Sequence, residues 1–122
     1  MKPERHDRAE TVARRIVERL DGKIVLGLPL GLGKANHIAN ALYGLAKADR
    51  GITLHISTAL TLEPPQGSSE LESRFIDPLR ERLFSGVTEL DYAAALRSGD
   101  LPSNVTVSEF FFLAGRWLSV PA

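Results

Sequence analysis

The chain contains no cysteine. That removes a disulfide framework, a cysteine-based zinc site and a thiol nucleophile, and it fits a reducing compartment. Net charge is absent too: fifteen basic side chains balance fifteen acidic ones, with three histidines. Electrostatics therefore gives no reason to invoke nucleic acid or an anionic membrane. No apolar run approaches the roughly 20 residues that span a bilayer. The amino terminus, Met1-Lys2-Pro3-Glu4-Arg5-His6-Asp7-Arg8, is charged and has no apolar core of a signal peptide. A cytoplasmic protein is the expectation. Internal repeats and low-complexity segments are missing as well. What remains is 122 residues, 43% apolar and 25% charged, enough for one domain with a real core and too few for two comfortable ones.

The periodicity of that chain changes repeatedly. Over residues 4–20, Ala9, Val12, Ala13, Ile16, Val17 and Leu20 recur at helical spacing, and Asp21-Gly22 ends the helix. Residues 24–28 read as a short strand apolar on both faces, as parallel strands tend to be. A second helix over about 35–48 carries an inward stripe of Ile38, Ala39, Leu42, Leu45 and Ala46. Residues 52–57 form the second strand, and the segment 58–68 with its Pro64-Pro65-Gln66-Gly67 is a loop. Ser69 and Glu72 make a capping box at the next helix. Leu71, Phe75, Leu79 and Leu83 line one face of it, and Pro78 predicts a kink or break near Arg74, or else a new helix beginning at Pro78. Thr88 is the expected cap of another helix through Leu96, with Leu90, Ala93, Ala94 and Leu96 turned inward, ended by Ser98-Gly99. Residues 105–108 are the third strand, followed by an apolar stretch from Phe110 to Leu118 that includes Phe111, Phe112, Leu113 and Trp117. Helix, strand, helix, strand, helices, strand is the order of a parallel sheet with right-handed crossovers. The predicted class is α/β: an open, mainly parallel sheet flanked by helices, small and incomplete. The bare apolar tail calls for a covering partner subunit or a longer polypeptide, and the second is preferred.

The most informative stretch joins the first strand to its helix: Gly27-Leu28-Pro29-Leu30-Gly31-Leu32-Gly33-Lys34-Ala35-Asn36-His37. A glycine-rich turn there places backbone N–H groups at a helix start, where they hold an anion or an oxyanion. The plain alternative is a tight turn that needs positive φ and binds nothing. A nucleotide-binding P-loop does not fit, because the position five before Gly33 is Leu28 and Lys34 is followed by Ala35 rather than a hydroxyl residue. The dinucleotide pattern fails as well, since Asn36 stands where a third glycine belongs.

The run from Gly27 to Tyr43 resembles the start of proteins in the acetyl-CoA hydrolase/transferase family, related to the family I CoA-transferases. Three later stretches resemble the same group in the same order: Ser57-Thr58-Ala59-Leu60-Thr61-Leu62-Glu63, Ser69-Glu70-Leu71-Glu72-Ser73-Arg74-Phe75, and Asn104-Val105-Thr106-Val107-Ser108-Glu109-Phe110-Phe111. The likeness spans roughly residues 20–118. It implies the N-terminal domain of a longer two-domain enzyme in which a glutamate of the second half attacks an acyl-CoA, passing through an anhydride to a glutamyl-CoA thioester. Acetate, another carboxylate or water then resolves it. Family members are several times longer, and the nucleophile belongs downstream. None of Glu63, Glu70, Glu72, Glu89 or Glu109 lies in a matching motif, so no catalytic residue is expected in this chain, and the chain is expected to be inert alone.

On that resemblance, the glycine turn serves the acyl site, with Gly31 and Gly33 offering amides to an oxyanion. Lys34 and His37 become candidates for CoA phosphate or carboxylate substrate, and Asn36 for orienting a carbonyl. Each also has a plain reading as a solvated or capping residue at a helix start. Ser57 and Thr58 end the second strand, at the carboxyl edge where open α/β sheets bind ligands. CoA or acyl-CoA is implied as substrate and no cofactor as tightly bound. The implied partners are the C-terminal domain of the same polypeptide, a small carboxylate and further copies in a homo-oligomer. His55 reads as a structural mid-strand histidine, and His6, His37 and His55 have no metal-ligand spacing. No Gly-x-Ser-x-Gly elbow supports a serine triad. The charges around Glu70 to Arg82 read as a solvated helix face, and Phe110, Phe111, Phe112 and Trp117 as packing rather than base stacking.

Overall fold

In the computed structural model, which describes residues 3–61 and 64–110, the expected alternation becomes a three-stranded parallel sheet with helices against it. The elements are α1 (Ala9–Arg19), β1 (Lys23–Gly27), a 3-10 turn (Gly31–Gly33), α2 (Asn36–Ala48), β2 (Thr53–Ala59), α3 (Glu70–Phe84), α4 (Asp91–Ser98) and β3 (Val105–Phe110). The strands lie in the order β1-β2-β3 and pair in parallel, with Ile24 opposite Leu54 and Leu54 opposite Val105. Right-handed crossovers in this sequential order carry both helical connections to one face. There α2 packs on α1, α4, β2 and β3.

The core sits between α2 and that face. Leu42, Leu54, Ile56 and Tyr92 are essentially buried, as are Ala13, Ala39 and Ala46. The opposite sheet face is open among the described residues: Thr53, His55, Thr106 and Ser108 are exposed, and Val25 is 73% exposed. The expectation of a first strand buried on both sides is therefore corrected, because no second layer reaches Val25. His55 lies on this open face, with its Nε2 2.8 Å from Ser108 Oγ.

Several boundaries moved for identifiable reasons. α1 starts at Ala9 rather than near residue 4 because Glu4 folds back onto the helix, pairing with Arg19 and, at 3.2 Å, with Arg15. The Arg15 hydrogen bond holds the Glu4 carboxyl below the usual carboxylate range. α3 runs as one helix through Pro78, which corrects the expectation of a break near Arg74 or of a new helix starting at Pro78. Arg74, whose carbonyl has no helical donor at Pro78, is exposed, a setting open to water and so tolerant of the loss. Half of the expected capping box forms: Glu72 N–H donates to Ser69 Oγ at 3.2 Å, while the Glu72 carboxylate accepts at 2.8 Å from Ser68 N–H, one residue before the cap, rather than from Ser69 N–H. Thr88 does not cap α4, which begins at Asp91. The Asp91 N–H instead donates to Asn40 Oδ1 of α2 at 3.0 Å, so the cap comes from a neighbouring helix. Leu90 and Ala93 point inward as expected, but Ala94 and Leu96 are exposed, and Tyr92 takes the buried place. Gly99 ends α4 in the left-handed region at φ 76°. The apolar stretch after Phe110 lies outside the described residues.

Candidate functional site

The glycine-rich segment does not open directly into α2. Leu28 leaves the sheet with its N–H donating to Ser57 O at 2.9 Å. The chain then makes the 3-10 turn Gly31–Gly33 and enters α2 only at Asn36. Gly31 needs its missing side chain, since its φ is +60°. A Cβ on Gly33 meets nothing within 4 Å, so that glycine borders open space rather than protein.

Lys34 explains how the turn is held. Its ammonium points inward from a residue only 9% exposed. Its three donors meet three oxygens: Pro29 O at 2.5 Å, Thr58 Oγ1 at 2.9 Å and Ala59 O at 2.8 Å. One side chain thus ties the start of the glycine segment to the carboxyl end of β2. Burial pushes the Lys34 amine below the ordinary lysine value, and the Glu109 carboxylate partly opposes that shift. Thr58, itself fully buried, is spent on this contact. Immediately after Ala59, Leu60 sits at φ +44°, an unfavourable conformation for a branched side chain. Thr61 N–H then donates to Glu109 Oε1 at 2.7 Å, tying this segment to β3.

Beside the tether lies a cleft at the carboxyl edge of the sheet, where open parallel sheets bind ligands. One wall is the turn, through Gly31, Leu32, Lys34 and Asn36; Thr61, Pro64 and Gln66 close a second side, and residues 87–90 with Ala93 and Arg97 a third. About 540 Å³ of space, part of it open to solvent, lies between them. Asn36 Nδ2 donates to Thr88 O at 2.6 Å, and Asn40 Nδ2 to Glu89 O at 2.7 Å, so α2 grips the third wall by its backbone. Among the described residues, four shielded side-chain oxygens have no hydrogen-bond partner: Asn36 Oδ1 and Thr61 Oγ1, and the Tyr43 and Tyr92 hydroxyls. Unpaired buried polar atoms are uncommon and costly, and Asn36 and Thr61 both line this cleft.

The seven residues expected from sequence are therefore only partly gathered. Gly31, Lys34 and Asn36 line the cleft, with Lys34 presenting its stem rather than a free ammonium. His37 is exposed in the adjoining groove, its Nε2 at a long 3.5 Å from Thr88 Oγ1. Gly33 borders open space, Thr58 lies beneath the turn, and Ser57 falls on the other strand face, since alternate residues of β2 point oppositely. Sequence reasoning missed Asn40, Thr61 and Thr88. Asn36 and Asn40 stand one helical turn apart, so a shared grip on one backbone segment was a readable signal; Thr61 carried none. Among the described residues, no group of three His, Asp or Glu is arranged to hold a metal ion. No helix among them is long and apolar enough to cross a membrane. No protein-family model matches the chain, and neither curated proteins nor solved structures give a significant match.

Proposed function

We propose that the chain is the N-terminal α/β domain of an acetyl-CoA hydrolase or acyl-CoA:carboxylate CoA-transferase, working in the cytoplasm with a C-terminal domain that supplies the nucleophile. The observation that carries this reading is the placement of a glycine turn at the carboxyl edge of parallel strands, against a cleft with two unpaired polar atoms. In the proposed reaction a glutamate carboxylate outside this chain attacks the thioester carbonyl. The C–S bond breaks, CoA leaves as thiolate, and a mixed anhydride remains. The thiolate then attacks the glutamyl carbonyl, releasing the acyl group as a carboxylate and leaving glutamyl-CoA. Negative charge builds on a carbonyl oxygen at each attack. A backbone N–H aimed at such an oxygen is worth about 3 kcal/mol, and the turn's role is to supply it. Asn36 Oδ1, an acceptor, suits an N–H or O–H of the bound substrate. The Lys34 ammonium is committed to three protein oxygens, which speaks against a phosphate held by that side chain.

Titration of the chain with CoA and acetyl-CoA, followed by amide NMR, tests the proposal. Shifts are expected at Gly31, Gly33 and Asn36 and across the cleft at Thr61 and Thr88. Gly33→Val adds its side chain to open space, so it is expected to preserve the folded spectrum and abolish those shifts. No shift at saturating ligand, or shifts indifferent to Gly33→Val, overturns the reading.

A further inference from the structure

α3 has no buried residue along its 15 positions. Its apolar row is bare: Leu71 is 78% exposed, Phe75 80%, Leu79 45% and Leu83 60%. These residues stand four apart and form one stripe, and a soluble protein rarely leaves such a stripe to water. At 100° per residue, Glu72 near the start of α3 and Arg82 near its end also fall within that stripe.

We propose that α3 is a self-association surface on which a second copy of this chain docks its own α3, antiparallel, across a two-fold axis. The choice of occupant rests on the pattern of the stripe itself. In an antiparallel pair centred between Phe75 and Leu79, Leu71 faces the partner's Leu83 and Phe75 faces the partner's Leu79. That same register brings Glu72 within side-chain reach of the partner's Arg82, once at each end. A parallel pair sets Glu72 against the partner's Glu72 and Arg82 against the partner's Arg82, which repels. The antiparallel arrangement also opposes the two helix dipoles favourably. A two-fold interface must be complementary to itself, and one register satisfies the apolar and the charged positions together. Arg74 and Arg80, of like sign across the pair, already have carboxylates on their own helix: Glu70 at 2.8 Å and Asp77 at 3.3 Å. A helix of 15 residues is about 22 Å long, and one such pair buries less than the ~1,200 Å² of a stable interface. The dimer is accordingly weak and dependent on protein concentration.

Sedimentation velocity of the full chain over a concentration series, with no ligand present, reads this directly. The wild type is expected to shift from monomer toward dimer. Phe75→Glu, at an exposed position that leaves the circular dichroism unchanged, is expected to stay monomeric. Glu72→Arg and Arg82→Glu are each expected to weaken the dimer at least tenfold, and the double exchange, which lacks the same Ser68 contact as Glu72→Arg, to dimerise more tightly than either single. A wild type that remains monomeric throughout, a Phe75→Glu chain that still dimerises, or a double exchange no better than its singles overturns the proposal. α3 does not line the cleft, so failure here leaves CoA binding untouched.

Discussion

Two asparagines at opposite ends of the sheet show how differently one side chain is used in this molecule. Asn104, just before β3, spends every polar atom. Its Nδ2 donates to Ala46 O and Ile52 O, both at 2.7 Å, with Asp49 O at 3.4 Å, and its Oδ1 accepts from Arg50 at 3.0 Å. It joins the end of α2 to the entrances of β2 and β3. Asn36, at the other end of α2, spends one donor on Thr88 O and leaves Oδ1 without a partner among the described residues. The entrance edge of the sheet is closed by hydrogen bonding, whereas the exit edge holds polar capacity in reserve. The exit edge is also tied, through Lys34 and Thr61, but it is the edge at which an asparagine oxygen is left over.

The contrast predicts a ranking. Asn104→Ala strands two well-made carbonyl contacts in a half-buried setting and is expected to cost about 2–3 kcal/mol in urea denaturation. Lys34→Met comes next. It orphans three oxygens but removes a buried charge, and the partial cancellation leaves a loss of about 1–2 kcal/mol. Its pH dependence has a definite sign. The folded amine is depressed below its unfolded value, so between the two values the unfolded chain holds more protons and stability rises with pH. Lys34→Met is expected to flatten that alkaline rise in the urea midpoint. Asn36→Ala should be mildest, at about 1 kcal/mol or less, because losing the Thr88 contact is offset by deleting an unpaired acceptor. A larger cost for Asn36→Ala than for Asn104→Ala breaks the comparison outright.

Much of the architecture was legible because it depends on local spacing. The α/β class, the parallel sheet, the Ser69–Glu72 cap and the Gly99 stop all follow from patterns within a few residues. The glycine turn was legible as a feature at the correct sheet edge. What it does with its neighbours was not. Lys34 and Thr58 are 24 residues apart, and Asn36 and Thr88 are 52 apart. No periodicity announces that a lysine after a glycine turn points inward, or that an α2 asparagine reaches the α3–α4 connection. The capping of α4 by Asn40 misled in the same way: Thr88 had the right chemistry for a cap, but tertiary contact supplied a better one. The α3 row of Leu71, Phe75, Leu79 and Leu83 was legible as one apolar face, whereas the exposure of Val25 on the sheet's open face was not, because local spacing does not say whether a second layer reaches a strand.

The sequential order of the strands also bears on how the molecule comes together. Each strand joins the edge laid down immediately before it, so none has to wedge between two already paired. The two crossovers differ in reach: 25 residues separate β1 from β2 and 45 separate β2 from β3, so the second pairing closes the larger loop and carries the higher entropic cost.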